Sequence, residues 1–100
     1  MDAQPIITRH AMHRAKERVG LDKRAAARTA AMALQGGLGQ ADTRGGLRRY
    51  LDGRAVAHGG AKPKIHGLHV YIFGQDDALI TVWELPHEYR RAVERARAKR

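Results

Sequence analysis

Seventeen of the chain's 43 apolar residues are alanine, which leaves 26 larger apolar side chains to keep water out of a 100-residue protein. Such a sequence can build one thin core, and its helices must lie close to whatever they cover, because a methyl group has little reach. A single domain over residues 1–100 is therefore expected. A fold of this size buries about 60–65% of the surface its unfolded chain exposes, and so little burial leaves a homodimer as one route to added stability.

The order of patterns divides the chain in two. Ile6 and Ile7 lead to Thr8, an N-cap residue, and Ala11, Ala15 and Val19 then recur every four positions, which predicts a helix over Arg9–Val19 ended by Gly20. Asp22 begins a second, alanine-rich helix reaching Gln35, with Gly36 and Gly37 as its stop. Thr43 is read as the cap of a short third helix that turns Leu47, Tyr50 and Leu51 inward, closing a helical part over residues 6–52. Residues 53–63, rich in Gly, Ala, His and Lys with no periodic apolar face, read as a mobile loop. Residues 64–86 hold β-branched and aromatic runs separated by turn residues and closed by Pro86, the pattern of an antiparallel meander. Residues 87–100 read as a basic helix or tail. The fold class expected is α+β: N-terminal helices packed on a three- to four-stranded antiparallel sheet.

Charge bears most directly on function. Nineteen Lys and Arg, fourteen of them Arg, oppose ten acids for a net charge of +9. Residues 9–28, 44–64 and 90–100 each carry +5, whereas residues 65–89 contain no Lys or Arg and carry −4. Guanidinium forks match phosphate oxygens, and counterion release drives a surface of this kind onto polyanions. Nucleic acid, or a ribonucleoprotein, is the partner expected. With no cysteine in the chain, disulfides and thiolate chemistry are excluded. The opening residues hold no apolar run of signal-peptide length and no segment approaches a membrane span, so a cytoplasmic protein without a membrane partner is expected.

Several side chains could carry chemistry on a phosphodiester. His10, Arg14 and Arg18 recur at i, i+4 and i+8, which puts an imidazole and two guanidiniums along one helical face, with Lys16 nearby. Metal-independent RNA cleavage needs a base, an acid and cations for the developing charge, and histidine suits both proton roles. His66 and His69 flank the Gly67 turn, and strand alternation places His69 with Tyr71, where the ring could stack on a base. Thr81 interrupts an apolar strand, on the alternation face of Leu79 and Trp83, and a buried hydroxyl there needs a partner such as His10. His10, His66, His69, Tyr71 and Thr81 are the candidate catalytic residues; Arg14, Lys16, Arg18, Arg48, Arg49 and Lys64 are the candidate phosphate contacts. Against this stand plainer roles: a solvated polar stripe on the helix and ordinary cross-strand packing in the sheet. No His-Glu-x-x-His or comparable spacing occurs, and Gly36, Gly37 and Gly39 do not form a phosphate loop, so neither a metal nor a cofactor is expected.

The opening Ile7-Thr8-Arg9-His10-Ala11, with Arg14, Lys16, Arg18 and Gly20 behind it, then Val70-Tyr71-Ile72-Phe73 and Leu79-Ile80-Thr81-Val82-Trp83-Glu84-Leu85-Pro86, resembles phage and mobile-element proteins that look like the RelE and BrnT side of the small-ribonuclease toxins. The resemblance covers residues 6–86 in element order. It implies N-terminal helices against a twisted antiparallel sheet, metal-independent RNA cleavage, RNA ahead of DNA, and a protein partner of the antitoxin kind. The chain departs from ribosome-dependent RelE-type enzymes, whose strands supply Arg or Lys to the phosphate, in having neither over residues 65–89. A non-catalytic module that binds nucleic acid or inhibits a host enzyme is therefore the alternative.

Overall fold

In the computed structural model, which describes residues 4–100, Thr8 and Asp22 start the first two helices. Residues 1–3, part of the opening segment read for a leader, lie outside this range. Thr8 Oγ1 accepts the Ala11 N–H at 3.1 Å and Asp22 Oδ1 accepts the Ala25 N–H at 2.8 Å, each satisfying an amide that the helix itself leaves open. Helix α1 spans Arg9–Arg14 and runs on as a π-helical turn over Ala15–Val19, ending at Gly20 in the left-handed region, φ 77°. Helix α2 spans Lys23–Gly36. Gly37 then passes so close to the sheet that an added Cβ would meet the Ala33 carbonyl at 2.5 Å and the Ile65 carbonyl at 3.0 Å.

The third helix departs from expectation at both ends. Thr43 is not its cap: the hydroxyl turns back to donate to the Gln40 carbonyl at 2.9 Å, closing a 3-10 turn over Gln40–Asp42, and the cap position falls to Arg44. Nor does a loop begin at residue 53. Helix α3 spans Gly45–Ala57 because Leu47, Leu51 and Ala55, spaced i, i+4, i+8, bury one continuous face, and that face outweighs the weak helical propensity of Gly53. The mobile loop expected over residues 53–63 is thus mostly helix and strand.

Three antiparallel strands follow in the order β1-β2-β3: β1 Lys62–His66, β2 His69–Phe73 and β3 Leu79–Glu84. Gly67, at φ 60°, makes the two-residue turn that pairs His66 with His69 and sets the β1–β2 register. Alternation sends Tyr71, Phe73 and Val82 to one face, where they meet Ala11 and Ala15 of α1 and Ala26, Ala30 and Ala33 of α2. Ile65, Val70 and Ile72 go to the other, where they meet Leu47 and Leu51 of α3 and Val93 of a fourth helix, α4, Arg90–Ala98. The alanine helices cover only one side of the sheet, as their small side chains predict. The C-terminal segment is a docked helix: Val93 is buried, Tyr89 packs on Tyr50 at 5.0 Å between ring centroids, and Arg97 Nη2 donates to the Gly67 carbonyl at 2.8 Å.

Each edge of the sheet is covered over part of its length. Along β1, Leu38 and Ile65 exchange backbone hydrogen bonds at 2.9 and 2.8 Å. Along β3, the Leu79 N–H donates to the Ile6 carbonyl at 2.8 Å, Thr8 N–H to the Leu79 carbonyl at 3.1 Å, and Thr8 Oγ1 to the Ile80 carbonyl at 3.3 Å. Covering an edge in this way removes a template for pairing with other chains. The radius of gyration is 12.6 Å, near the roughly 13 Å of a folded 100-residue domain. Among the described residues no helix is long and apolar enough to cross a membrane.

Candidate nucleic-acid interface

The contacts that close the β3 edge also bring α1 alongside it, and there most of the candidate side chains meet. His10, exposed in the first turn of α1, holds its Nε2 3.2 Å from the hydroxyl of Thr81, which is only 2% exposed. Two turns on, Arg18 Nη1 donates to the Val82 carbonyl at 3.2 Å and its guanidinium lies 4.4 Å from the centre of the Trp83 ring. Arg54 reaches the same indole from α3, at 5.2 Å. The cations on Trp83 thus come from helices on opposite faces of the sheet, meeting at its edge.

Arg14 lies between His10 and Arg18 in sequence but turns to Glu17, 2.6 Å away, and this bond holds the Glu17 carboxyl below the usual carboxylate range. The i, i+4, i+8 stripe is therefore broken at its middle. Lys16 is exposed on the π-helical turn that follows α1.

His69 and His66 take other positions. A carbonyl can only accept, so His69 Nε2 carries a proton and donates it to the Arg18 carbonyl at 3.2 Å. This bond ties β2 to the end of α1. His66 stands edge-on to Tyr71, 6.1 Å between ring centroids, and burial, followed by the Arg97 charge, pushes its pKa down. Tyr71 is 2% exposed among the alanines of α1 and α2, and burial raises its pKa; a ring so enclosed has no face for a nucleobase. Leu79 packs on the α1–α2 side and Trp83 on the other, because a bulge between Ile72 and Phe73 breaks the alternation expected to align them with Thr81. Arg48 is exposed on α3 and paired with Asp52 at 2.8 Å, Arg49 is exposed beside it, and Lys64 lies on β1 next to Gly39; none of the three joins the β3 edge.

Trp83 and Arg54 were missed by reading the sequence. Arg54 falls in the stretch read as a loop, although Ala55 continues the Leu47–Leu51 spacing, and Trp83 falls in the segment that lacks Lys and Arg, so nothing local pairs them. A lone tryptophan in a chain with fourteen arginines was the available signal.

The electrostatics are those of a surface short of counter-charge. Among the described residues, only Arg14, Arg48, Lys62 and Arg100 of the Lys and Arg side chains lie within 4 Å of a carboxylate. The edge offers one exposed imidazole held by a buried hydroxyl, with guanidiniums farther along. His10 and the Arg18 carbonyl that engages His69 are eight residues apart, so the two imidazoles attach to opposite ends of this helical segment. Binding and a single proton transfer fit this geometry better than a paired acid and base on one phosphate. Among the described residues no group of three His, Cys, Asp or Glu side chains could hold a metal ion.

No protein-family model matches the chain, and neither a curated protein nor a solved structure is significantly similar to it. What fold and surface define is a class: a strongly basic α+β domain whose sheet is covered on both faces.

Proposed function

We propose that this protein binds RNA along the outer edge of β3. The observation that carries the reading is the meeting of Arg18 and Arg54 on Trp83, on the strand that also holds Thr81 against His10. Guanidiniums stacked on an indole are restrained in direction, which lowers the entropy lost when they take phosphate oxygens. The net charge of +9 supplies the sequence-independent attraction. The resemblance of the opening and the Ile80-Thr81-Val82 strand to small-ribonuclease toxins favours RNA over DNA.

A second reading, metal-independent RNA cleavage at the same edge, is favoured by one observation: His10 is exposed yet oriented by a buried hydroxyl, as a general base would be. One experiment addresses both. Purified protein is incubated with total RNA, with and without EDTA, beside His10→Ala, and filter binding is measured on the same samples. Binding without cleavage supports the first reading alone. Cleavage that resists EDTA and is lost in His10→Ala supports both. Absence of binding at low salt overturns both.

A further inference from the structure

On the face of the sheet opposite α1, the start of α3 and the last turns of α4 enclose a cleft of about 400 Å³. Three cations line it: Arg44, which precedes α3, Arg95 of α4, and Lys99, which caps the C-terminus of α4. None of the three lies within 4 Å of a carboxylate among the described residues. The single acid at the rim, Asp42, is already engaged, its Oδ2 accepting the Gly39 N–H at 2.8 Å and lying 4.0 Å from Arg100. Arg95 and Lys99 are four residues apart on one helix, an arrangement in which like charges repel, and Arg44 adds a third charge from a different element. Among the described residues no carboxylate lies within 4 Å to balance them. Gly46 brings no side chain into the space, and Ala96 gives it an apolar wall.

From these features we infer that the cleft is a binding site for a phosphate monoester, the terminal phosphate of a nucleotide or of a nucleic-acid strand. Two guanidiniums and an ammonium match the charge and the oxygen count of a dianionic phosphate better than they match an internal diester, which carries one charge and must leave the site at both ends. The volume admits the phosphate with part of the attached sugar. The site shares no residue with the β3 edge, so it stands whether or not RNA binds there.

The test is an amide chemical-shift titration of the full chain with uridine 5′-monophosphate, uridine and inorganic phosphate, followed by affinities for hexauridylate with a 5′-phosphate or a 5′-hydroxyl. The monophosphate should shift the amides of residues 44–47 and 95–99, uridine should not, and Arg95→Ala/Lys99→Ala should weaken the monophosphate at least tenfold with an unchanged melting temperature. An at least tenfold preference for the 5′-phosphorylated strand identifies a strand end as the ligand; equal affinity with retained monophosphate binding identifies a free nucleotide. Arg18→Ala should leave the cleft shifts intact even where it weakens RNA binding, which separates this site from the β3 edge. Absence of shifts with millimolar monophosphate, or a double variant that binds as the parent does, overturns the inference.

Discussion

His10 Nε2 and Thr81 Oγ1 lie 3.2 Å apart, linking the first turn of α1 to the middle of β3 across 71 positions of sequence. The hydroxyl is buried and the imidazole is exposed, so the bond orients a solvent-facing group from inside the core. Thr81→Val keeps the shape of the side chain and removes the bond. We expect a stability change of no more than about 1.5 kcal/mol, the usual net worth of one hydrogen bond. Any RNA cleavage should fall as far in Thr81→Val as in His10→Ala, with no further fall in the double variant. Additive losses in that cycle would show that the two residues act separately.

Arg18 is bonded to the Val82 carbonyl and stacked on Trp83, on the edge proposed to meet RNA. Arg18→Ala should lower RNA affinity and reduce the slope of log K against log salt by about 1, the loss of one phosphate contact. Lys23→Ala, on the exposed start of α2, serves as the control. A filter-binding series at rising salt measures both; equal effects would argue for diffuse attraction in place of an edge site.

Trp83 is the chain's single tryptophan, so its fluorescence reports on the Arg18–Trp83–Arg54 cluster without labelling. RNA that engages these arginines should change the emission in a saturable way, with a midpoint matching the filter-binding constant. In Arg18→Ala the change should shrink. Binding with no spectral response would place the RNA elsewhere.

Ala30 is fully buried between α2 and the sheet. Ala30→Leu forces the helix outward and should cost about 1–3 kcal/mol, the usual penalty of overpacking. Urea denaturation with an unchanged m-value checks it. A neutral result would mean that the alanine face tolerates a wider spacing than its packing indicates.

His66 has its pKa pushed below the usual histidine value, first by burial and then by Arg97. Its protonated form is disfavoured in the fold, so the unfolded chain takes up the proton first as pH falls. This contribution is full above the unfolded pKa and is lost as pH falls through it toward the folded value. The wild-type melting temperature should therefore drop between about pH 7.5 and 5, and His66→Gln should drop less. Parallel curves would show that the fold does not exclude the His66 proton.

Local chemistry was legible in the sequence at most positions where one residue acts on its own neighbours, Thr43 being the cap that was misplaced. Thr8 and Asp22 cap the helices they precede, Gly20 ends the first helical segment, and the β-branched and aromatic runs read from residue 64 onward form the antiparallel strands, because caps, left-handed turns and strand propensities operate over a few residues. For Thr81 the sequence offered His10 or a strand neighbour as the partner a buried hydroxyl demands, and the fold supplies His10. The tertiary structure alone decided the rest. Only burial of Leu47, Leu51 and Ala55 against the sheet carries α3 past Gly53, and only the packing of both sheet faces brings Arg54 to Trp83 and encloses Tyr71. These outcomes depend on which surfaces exclude water together, a property of residues distant in the chain that no local pattern records.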